Sequence, residues 1–329
     1  MDVPTPGPGA DQAAGAHSGP VVRRVPDGSL EPRLTLRQLD LFVAAADHGG
    51  FTAAAAALHL SPNSVSLAVS ELERILGARL VVRCRARGVT LTPAGRQLLD
   101  GARRLLRGAV DLRLSIGAGA DGLRGPVAVG CYTTLAPTVV PELWAAMSER
   151  HPLVELSVRE GTGDELAEAV RTGHLDVLIA YEVALPGQLQ FTRLYEAPPL
   201  AALSGDHRLA GHESVDPAEL ADEPLILFDQ PPSGQNTLAL LHRHGIRPRI
   251  GHRTADFELM RSLVGRGFGY GIQYQQVAVP LSREGRSVVT RPLATEAPPE
   301  PVVIAWVQGL EPTARARAVI EVARRRLGG

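Results

Sequence analysis

The sequence predicts a chain of two folded parts, a small helical module with a two-stranded wing and a larger α/β domain, joined by a long helix. Three observations lead to this prediction. Short amphipathic helices and two runs of β-prone residues fill roughly residues 34–92. Apolar residues spaced alternately four and three apart then continue to residue 116. From residue 124 to the end of the chain, strand-like and helix-like segments alternate.

The composition limits what the chain can be. Its 329 residues, 44% hydrophobic and 21% charged, are typical of a globular protein of two or three domains. No apolar run approaches the roughly 20 residues of a membrane span, and the N-terminus lacks the basic and apolar regions of a signal peptide. We therefore expect a cytoplasmic protein with no membrane partner. Residues 1–33, rich in Pro, Gly and Ala, are expected to form a disordered tail.

The charge is distributed unevenly along the chain. Residues 34–116 carry 11 arginines against six acidic residues, whereas residues 117–329 carry 20 arginines against 25 acidic residues. A local positive excess is expected of a module that binds a polyanion such as nucleic acid. The first part of the chain is therefore the candidate for such a partner.

Two short helices are predicted at the start of the helical module. The first spans residues 36–47 and ends at the turn Gly49-Gly50, because its apolar residues fall at i, i+3, i+4 and i+7. Thr52 is predicted to be the N-cap of a second helix over residues 53–59. The small alanine side chains of this helix favour close crossing of its neighbours.

The stretch SPNSVSLAVSELE is predicted to form most of the third helix. Ser61 is its N-cap, and Pro62 occupies its first position. An inward stripe with helical spacing is formed by Val65, Val69, Leu72 and Leu76. The side chains left mostly outside are Asn63, Ser64, Ser66 and Ser70. Small hydrogen-bonding groups at an exposed helix start can approach phosphates and base edges. A plain amphipathic helix with a polar solvent face fits the same residues, so this segment alone leaves both readings open.

A basic hairpin is predicted after the third helix. Two β-prone runs, residues 80–82 and 89–91, flank the segment RCRARG, which places Arg83, Arg85 and Arg87 near the tip. Arginines there are suited to pairing with phosphates on either side of a groove entered by the third helix. Helix, turn, helix and basic wing is the order of an N-terminal all-α winged helix-turn-helix module.

The stretch LRQLDLFVAAADHGGFTAAAAALHLSPNSVSLAVSELERILGARLVVRCRARGVTLTPAG resembles the N-terminal domain of LysR-type transcriptional regulators over about 60 residues. The resemblance implies double-stranded DNA as a partner. It implies DNA contacts from Thr52, Ser61, Pro62, Asn63, Ser64, Ser66 and Arg83. The chain departs from the family where Pro62-Asn63 replaces a frequent Gln-Pro, and where Leu67 replaces a common Lys or Arg. Base preference therefore does not carry over.

One long helix is predicted over residues 93–116. The residues Leu98, Ala102, Leu105, Ala109, Leu112 and Ile116 have the a/d spacing of a coiled coil. Such a seam requires either a partner helix or the chain's own domain to cover it, and three heptads do not decide between them. LysR-type proteins dimerise through a helix at this place, which implies a homodimer or homotetramer here. Two recognition helices would then meet the half-sites of an imperfect palindrome.

Alternating segments predict a doubly wound, mostly parallel α/β domain over residues 124–329. The predicted strands lie at residues 127–131, 153–158, 177–180, 200–203, 225–228, 249–252, 270–273 and 302–306. Lobe I is expected at about 124–184 and 288–329, and lobe II at about 185–287. The segments LRGPVAVG, RTGHLDVLIAYE and VGRGFGYGI resemble the effector domain of LysR regulators, which is similar to type 2 periplasmic binding proteins. The resemblance implies a small-molecule effector bound between two lobes.

Ligands of such sheets bind outside the carboxyl ends of the strands. Residues at these places are the effector candidates, although each is also an ordinary cap or turn residue: Thr133, Thr134, Gly161, Thr162, Tyr181, Glu182, Asp229, Gln230, Thr254, Phe257 and Gln273. A carboxylate or amide metabolite is expected. Glu182 and Asp229 would oppose a strongly anionic one.

Other chemistry is not expected. No Ser-His-Asp order or paired-carboxylate motif is present, and no cofactor is predicted. His242 and His244 point to different helix faces, so we expect no metal site there. Cys131 is read either as an oxidant sensor or as an inert thiol. The sequence therefore predicts an effector-controlled, sequence-specific DNA-binding transcriptional regulator and no enzyme. The alternative is a cytoplasmic solute-binding or enzymatic α/β protein with an accessory helical domain.

Overall fold

The computed structural model of the chain describes residues 34–84, 88–116, 122–187, 189–294 and 296–328. It contains a helical module, one long helix and an α/β domain of two lobes, as the sequence predicts. The predicted tail at residues 1–33 lies outside the described residues. Among the residues described, we find no helix both long enough and apolar enough to cross a lipid bilayer.

The helical module consists of three helices, an antiparallel hairpin and the first half of the long helix. Its elements are α1 (Leu36–Asp47), α2 (Phe51–Ala57), α3 (Pro62–Leu76), β1 (Val81–Cys84), β2 (Gly88–Leu91) and α4 (Pro93–Ile116). Leu39 and Phe42 of α1 pack with Val69 and Leu72 of α3, and all four side chains are buried. The predicted apolar stripes of both helices therefore form the core of this module.

Helix starts follow the predicted capping chemistry at α3 but not at α2. The Ser61 hydroxyl accepts the backbone N–H of Ser64 at 3.1 Å, which is the predicted N-cap. The prediction that Thr52 caps α2 is wrong. The helix begins at Phe51, after Gly50, and Gly50 has no side chain to form a cap. Phe51 packs against the module core, so the helix starts two residues earlier than predicted and Thr52 lies in its first turn.

Two glycines allow the hairpin and the long helix to approach their neighbours closely. Gly88 has a φ of +77°, and a Cβ atom there would lie 2.1 Å from the carbonyl oxygen of Gly49. The next residue, Val89, donates its N–H to that same oxygen at 2.9 Å. A Cβ at Gly95 would lie 2.0 Å from the carbonyl oxygen of Leu80. Gly88 of the wing and Gly95 of the LTPAG segment thus let the wing lie close to the turn after α1 and to the start of α4.

The first half of α4 belongs to the module core. Ala102 has no exposed surface and packs beside Leu99, and Leu98 packs on the same cluster. In this half the predicted seam is covered by the chain's own domain, which was the alternative reading of the spacing. The cause is that α4 closes the module over α1 before it continues toward the α/β domain.

The second half of α4 leaves apolar side chains exposed. Leu105 is 58% exposed and Leu112 is 64% exposed, and Ala109 is half-buried. The side chain of Ile116 lies outside the described residues. The part of the predicted seam available to a partner helix is therefore Leu105 to Leu112, about two helical turns.

The α/β domain comprises ten strands and five α-helices in the part of the chain that the structure describes. They are β3 (Arg124–Tyr132), α5 (Ala136–Arg150), β4 (Leu153–Gly161), α6 (Gly163–Arg171), β5 (Val177–Tyr181), β6 (Leu189–Ala197), β7 (Leu200–Ser204), β8 (Pro224–Phe228), α7 (Ser233–Arg243), β9 (Arg249–Thr254), α8 (Phe257–Gly265), β10 (Gly271–Gln273), β11 (Val288–Pro292), β12 (Glu300–Val307) and α9 (Ala314–Leu327). One cluster of buried apolar residues lies in lobe I and two lie in lobe II.

Lobe I is built on a five-stranded sheet with the order β4-β3-β5-β12-β6. Strands β4, β3 and β5 run parallel, whereas β12 is antiparallel to both β5 and β6. Lobe II contains the antiparallel sheet β10-β7-β11 and the parallel pair β8-β9. The domain is therefore less uniformly parallel than predicted, because the chain returns from lobe II into lobe I through β12.

The predicted lobe boundaries are wrong at two strands. Residues 185–287 were assigned to lobe II, yet β6 pairs along its length with β12 of lobe I. Residues 288–329 were assigned to lobe I, yet β11 pairs with β7 of lobe II. The chain crosses between the lobes after β6 and again before β12.

Three ion pairs hold α4 against lobe I. They are Asp100 with Arg171 at 3.2 Å, Arg107 with Asp176 at 3.7 Å and Asp111 with Arg315 at 3.0 Å. The Arg315 side chain is only 5% exposed, and its Nε also donates to the carbonyl of Pro126 at 2.8 Å. The long helix is thus fixed both to the helical module and to the α/β domain.

Candidate functional site

The exposed side of α3 is the first candidate surface. Val65, Val69 and Leu72 are buried along one side of the helix. Asn63, at the second helical position, and Ser70 are exposed on the opposite side. The exposed side therefore begins at the helix N-terminus, where the helix dipole favours an anionic partner.

The serines of α3 have different roles. Ser61 caps the helix, and its hydroxyl also lies 2.8 Å from the hydroxyl of Ser64. Both residues, like Pro62, are exposed. Ser66 is half-buried at the side of the helix, away from the centre of the free surface. Of the predicted contact residues on α3, Asn63 and Ser64 are therefore the best placed to reach a ligand.

The remaining predicted DNA contacts flank α3. Thr52 is exposed in the first turn of α2. The wing hairpin is present as β1 and β2, with Arg83 paired to Val89 in the ladder. The side chain of Arg83 lies outside the described residues, as do Arg85 and Arg87 entirely, so their predicted roles stay predictions.

Sequence reasoning missed a buried carboxylate behind this surface. Glu73 of α3 is only 9% exposed, and one of its oxygens accepts the N–H of Leu80 at 2.7 Å and of Val81 at 3.2 Å. This carboxylate joins the C-terminal half of α3 to the start of the wing. Its position, four residues after Val69 on the buried stripe, is the signal that would have revealed it.

The second candidate site is a cleft of about 860 Å³ between the two lobes. Three predicted effector residues, Thr133, Thr134 and Phe257, line it. The other lining residues were not predicted, and they are Pro137, Thr138, Glu160, Ala255, Asp256, Glu258, Arg261, Gln275, Val277, Val279, Leu281, Ser282 and Arg283. The volume lies within the range of about 300–1,000 Å³ that is usual for small-molecule sites.

Polar groups in the cleft come from both lobes. Thr133 donates its hydroxyl to the carbonyl of Gly161 at 3.2 Å, which holds it at the end of β3. Across the cleft, the Gln275 side-chain amide donates to the Thr138 hydroxyl at 2.7 Å. That bond joins the loop after β10 in lobe II to α5 in lobe I. The cleft thus has hydrogen-bonding groups on facing walls and a polar contact between them.

Charge in the cleft limits what can enter it. Two arginines, Arg261 and Arg283, are set against three carboxylates, Glu160, Asp256 and Glu258. Arg261 is 1% exposed and lies 3.3 Å from an oxygen of Glu258. Its Nη2 donates to the carbonyl of Leu281 at 2.9 Å, while its Nη1 finds no acceptor among the residues that the structure describes. A multiply charged anion is disfavoured by this net negative lining.

Several predicted effector residues have capping or pairing roles. Thr162 forms a capping box with Glu165, and Thr254 accepts the N–H of Asp256 at 3.0 Å. Glu182 pairs with Arg193 at 3.0 Å, and Asp229 pairs with Arg253 at 2.9 Å. The Gln230 carbonyl accepts an N–H from α7. For these residues the structure favours the ordinary structural role over ligand contact.

Two further predicted residues are buried beside the cleft. The Tyr181 ring packs edge-on against Tyr132 at 5.6 Å, and burial raises the pKa of its phenol. Gln273 is 3% exposed and donates its amide N–H to the carbonyl of Gln275 at 2.6 Å. Gln273 thus positions the residue that links the lobes, and Tyr181 is a neutral hydrogen-bonding group next to Thr134.

Cys131 is a buried thiol. It lies at the end of β3 with no exposed surface, and burial raises the pKa of the thiol to about 12. Reactivity toward oxidants requires the thiolate and access to it. Within the described ranges, no cluster of three or more His, Cys, Asp or Glu side chains is arranged to hold a metal ion.

Two family models match the chain. The model for the LysR substrate binding domain matches residues 120–328, and the model for bacterial regulatory helix-turn-helix proteins of the lysR family matches residues 36–96. The first match alone covers more than half of the chain and includes both lobes. The second covers α1 to α3, the wing and the beginning of α4.

Individual relatives agree with these matches. A protein of Mycobacterium avium described as "Probable hydrogen peroxide-inducible genes activator" is 32% identical over 262 residues, 78% of this chain and 82% of the relative. The structure of HinK, a LysR family transcriptional regulator from Pseudomonas aeruginosa, has a TM-score of 0.60 at 30% identity and covers 89% of this chain and 99% of its own. A full-length OxyR variant from the same organism has a TM-score of 0.70 at 25% identity, with coverage of 90% and 98%.

Proposed function

We propose specific DNA and effector sites for this chain, which belongs to the LysR family of transcriptional regulators. It is a DNA-binding regulator that responds to a small-molecule effector. The exposed side of α3 enters the major groove, and Asn63 and Ser64 contact base edges there. The observation that supports this proposal is the position of these small polar side chains at the free N-terminal end of a helix whose other side is buried.

The chain acts as a dimer or a tetramer on an imperfect palindrome. Support comes from Leu105 and Leu112, two large apolar side chains left more than half exposed on the second half of α4. Two copies of α3 related by a two-fold axis contact half-sites about one helical turn, or a multiple of it, apart. DNase footprinting on the DNA upstream of the chain's own gene tests this proposal. Two protected, inverted half-sites are expected, and protection of one isolated half-site would contradict it.

The effector binds in the cleft between the lobes and carries a carboxylate or amide group. The Thr134 hydroxyl and the second amide N–H of Gln275 can hydrogen-bond to such a group, and the Thr133 hydroxyl, which donates to Gly161, can accept from an amide N–H. Phe257 and Val279 supply apolar surface. The three carboxylates of the lining disfavour more than one negative charge on the ligand. A ligand that contacts both walls stabilises one arrangement of the lobes and so shifts how the dimer holds DNA.

A thermal-shift screen of the full chain tests the effector site. Monocarboxylates and primary amides are expected to include a compound that raises the melting temperature, because a ligand of the folded state stabilises it by mass action. Thr134→Val, which removes a hydroxyl from the cleft wall, is expected to reduce that shift. The matched change Thr192→Val on β6, outside the cleft, should leave it intact. An equal shift in both variants would place the ligand elsewhere.

The signal is a bound molecule and not the oxidation of Cys131. The relative from M. avium is described as a "Probable hydrogen peroxide-inducible genes activator", but the Cys131 thiol here is buried and its raised pKa keeps it protonated at neutral pH. The family consists of transcription regulators, and we propose that this member has no catalytic activity of its own. Its place of action is the cytoplasm, where its DNA target lies.

A further inference from the structure

Leu67 on α3 is the feature that the proposed function does not yet explain. Its side chain is 67% exposed, the largest exposure among the large hydrophobic residues in the described part of the chain. Burying the isobutyl group of a leucine is normally favourable, so this position leaves apolar surface in water. Isolated exposed leucines are common, and exposure alone therefore decides nothing.

The position of Leu67 on the helix is what gives its exposure a meaning. At about 100° per residue, Leu67 lies roughly 200° around the helix from the buried Val65. It therefore points almost directly away from the core of the module. Asn63, one turn earlier, and Ser70, three residues later, lie on the same side and are also exposed. Leu67 is thus at the centre of the surface that we propose enters the major groove.

The surroundings of Leu67 do not fit a protein-binding patch. The exposed residues of α3 within about one turn of Leu67 are Asn63, Ser64 and Ser70, and all three are polar. Protein interfaces have a contiguous apolar centre, whereas here one apolar side chain stands among polar ones. A single methyl-sized apolar contact surrounded by hydrogen-bonding groups is instead the pattern that a base pair presents in the major groove.

Thymine is the one base with an apolar group on that edge. Its C5-methyl projects into the major groove, and the hydrogen-bonding atoms of the A·T pair lie beside it. A leucine at the centre of the exposed side of α3 cannot hydrogen-bond to guanine or to a phosphate. It can displace water from a methyl group.

We infer that Leu67 packs against the C5-methyl of a thymine in each half-site and so selects an A·T pair at that position. This rests on the proposed placement of α3 in the major groove. Asn63 and Ser64 supply the hydrogen bonds to neighbouring base edges, and Leu67 supplies the apolar contact. The residue is a determinant of specificity and contributes little to non-specific affinity, which arises from phosphate contacts.

The test replaces each thymine of the footprinted half-sites by deoxyuridine, one position at a time and symmetrically in both halves. This change removes only the methyl group. At one position, the wild-type chain should bind the substituted DNA about fourfold more weakly per half-site, the factor that corresponds to one methyl group returned to water. At that position Leu67→Ala should bind the two DNAs with affinities that differ by less than twofold. The pair of changes forms a double-mutant cycle.

Ser70→Ala is the matched control, since it alters a neighbouring exposed residue of α3 and leaves the leucine in place. This variant should keep the full uridine effect. If the wild-type chain binds the footprinted DNA but no thymine shows coupling to Leu67, the inference is overturned while the proposed DNA site survives. If Leu67→Ala keeps the uridine effect, another residue contacts the methyl and the inference is likewise overturned. Failure of the wild-type chain to bind the DNA would overturn the proposed function and this inference together.

Discussion

Replacing Glu73 by leucine should destabilise the helical module strongly. The carboxylate is 9% exposed and accepts two backbone N–H groups, those of Leu80 at 2.7 Å and Val81 at 3.2 Å, and both residues are buried. Leucine fills a similar space but leaves these two donors without a partner. A buried unsatisfied N–H costs about 1–3 kcal/mol, so the loss for the pair is about 3 kcal/mol. Removing the ion pair with Arg79 adds little, because that side chain is 83% exposed.

Glu73→Gln is the matched control for this prediction. The amide oxygen of glutamine can still accept both N–H groups, and only the charge of the acceptor is lost, so the expected cost is about 1 kcal/mol. Native-state hydrogen exchange, read by mass spectrometry on peptides that span α3 and β1, measures the free energy of opening of this region. A leucine variant within 1 kcal/mol of wild type, or a glutamine variant as unstable as the leucine variant, would refute the reasoning.

Two further predictions concern the second half of α4 and the buried thiol. Leu105→Asp should convert the oligomer to monomers in sedimentation velocity, because it puts a charge on the exposed seam. Leu259→Asp, at an exposed leucine of α8, is the control and should leave the mass of the oligomer unchanged. Monomers in both variants would contradict the proposal that α4 forms the interface. Cys131 should resist iodoacetamide in the native chain at pH 7.5. Burial raises the pKa of the thiol to about 12 and leaves it no exposed surface, so labelling should be much slower than in the unfolded chain. Labelling as fast as in the urea-unfolded chain would contradict this.

Local patterns determined which parts of the fold were predictable. The stripe Val65, Val69 and Leu72 identified α3 because helical periodicity depends only on residues within a few turns. Strands β6 and β11 were missed because each is stabilised by pairing with a strand distant in sequence, β12 or β7. In β6, LQFTRLYEA, apolar and polar residues alternate only weakly, so the strand pattern is hard to recognise. The same omission produced the misplaced lobe boundaries.

The candidate sites divide in the same way. The exposed side of α3 belongs to one continuous helix, so helical periodicity was enough to predict that Asn63 and Ser64 lie on it. The cleft brings Thr134 of lobe I next to residues such as Gln275 and Arg261, which lie far along the chain. Thr133 and Thr134 were predicted because they follow the end of a strand in lobe I. The loop after β10 was not predicted, because its position in the cleft depends on how the two lobes face each other. Thr52 was misassigned because packing of Phe51 outweighed capping preference.

The central claim is that the polar side of α3 reads DNA bases, and a titration of the footprinted DNA tests it most directly. Fluorescence anisotropy would compare wild type with the double variant Asn63→Ala and Ser64→Ala at several salt concentrations. We expect the double variant to bind this DNA at least tenfold more weakly than wild type, because each base contact contributes about 1–3 kcal/mol. The slope of log affinity against log salt concentration should be unchanged, because the phosphate contacts remain. An affinity within twofold of wild type would contradict the claim.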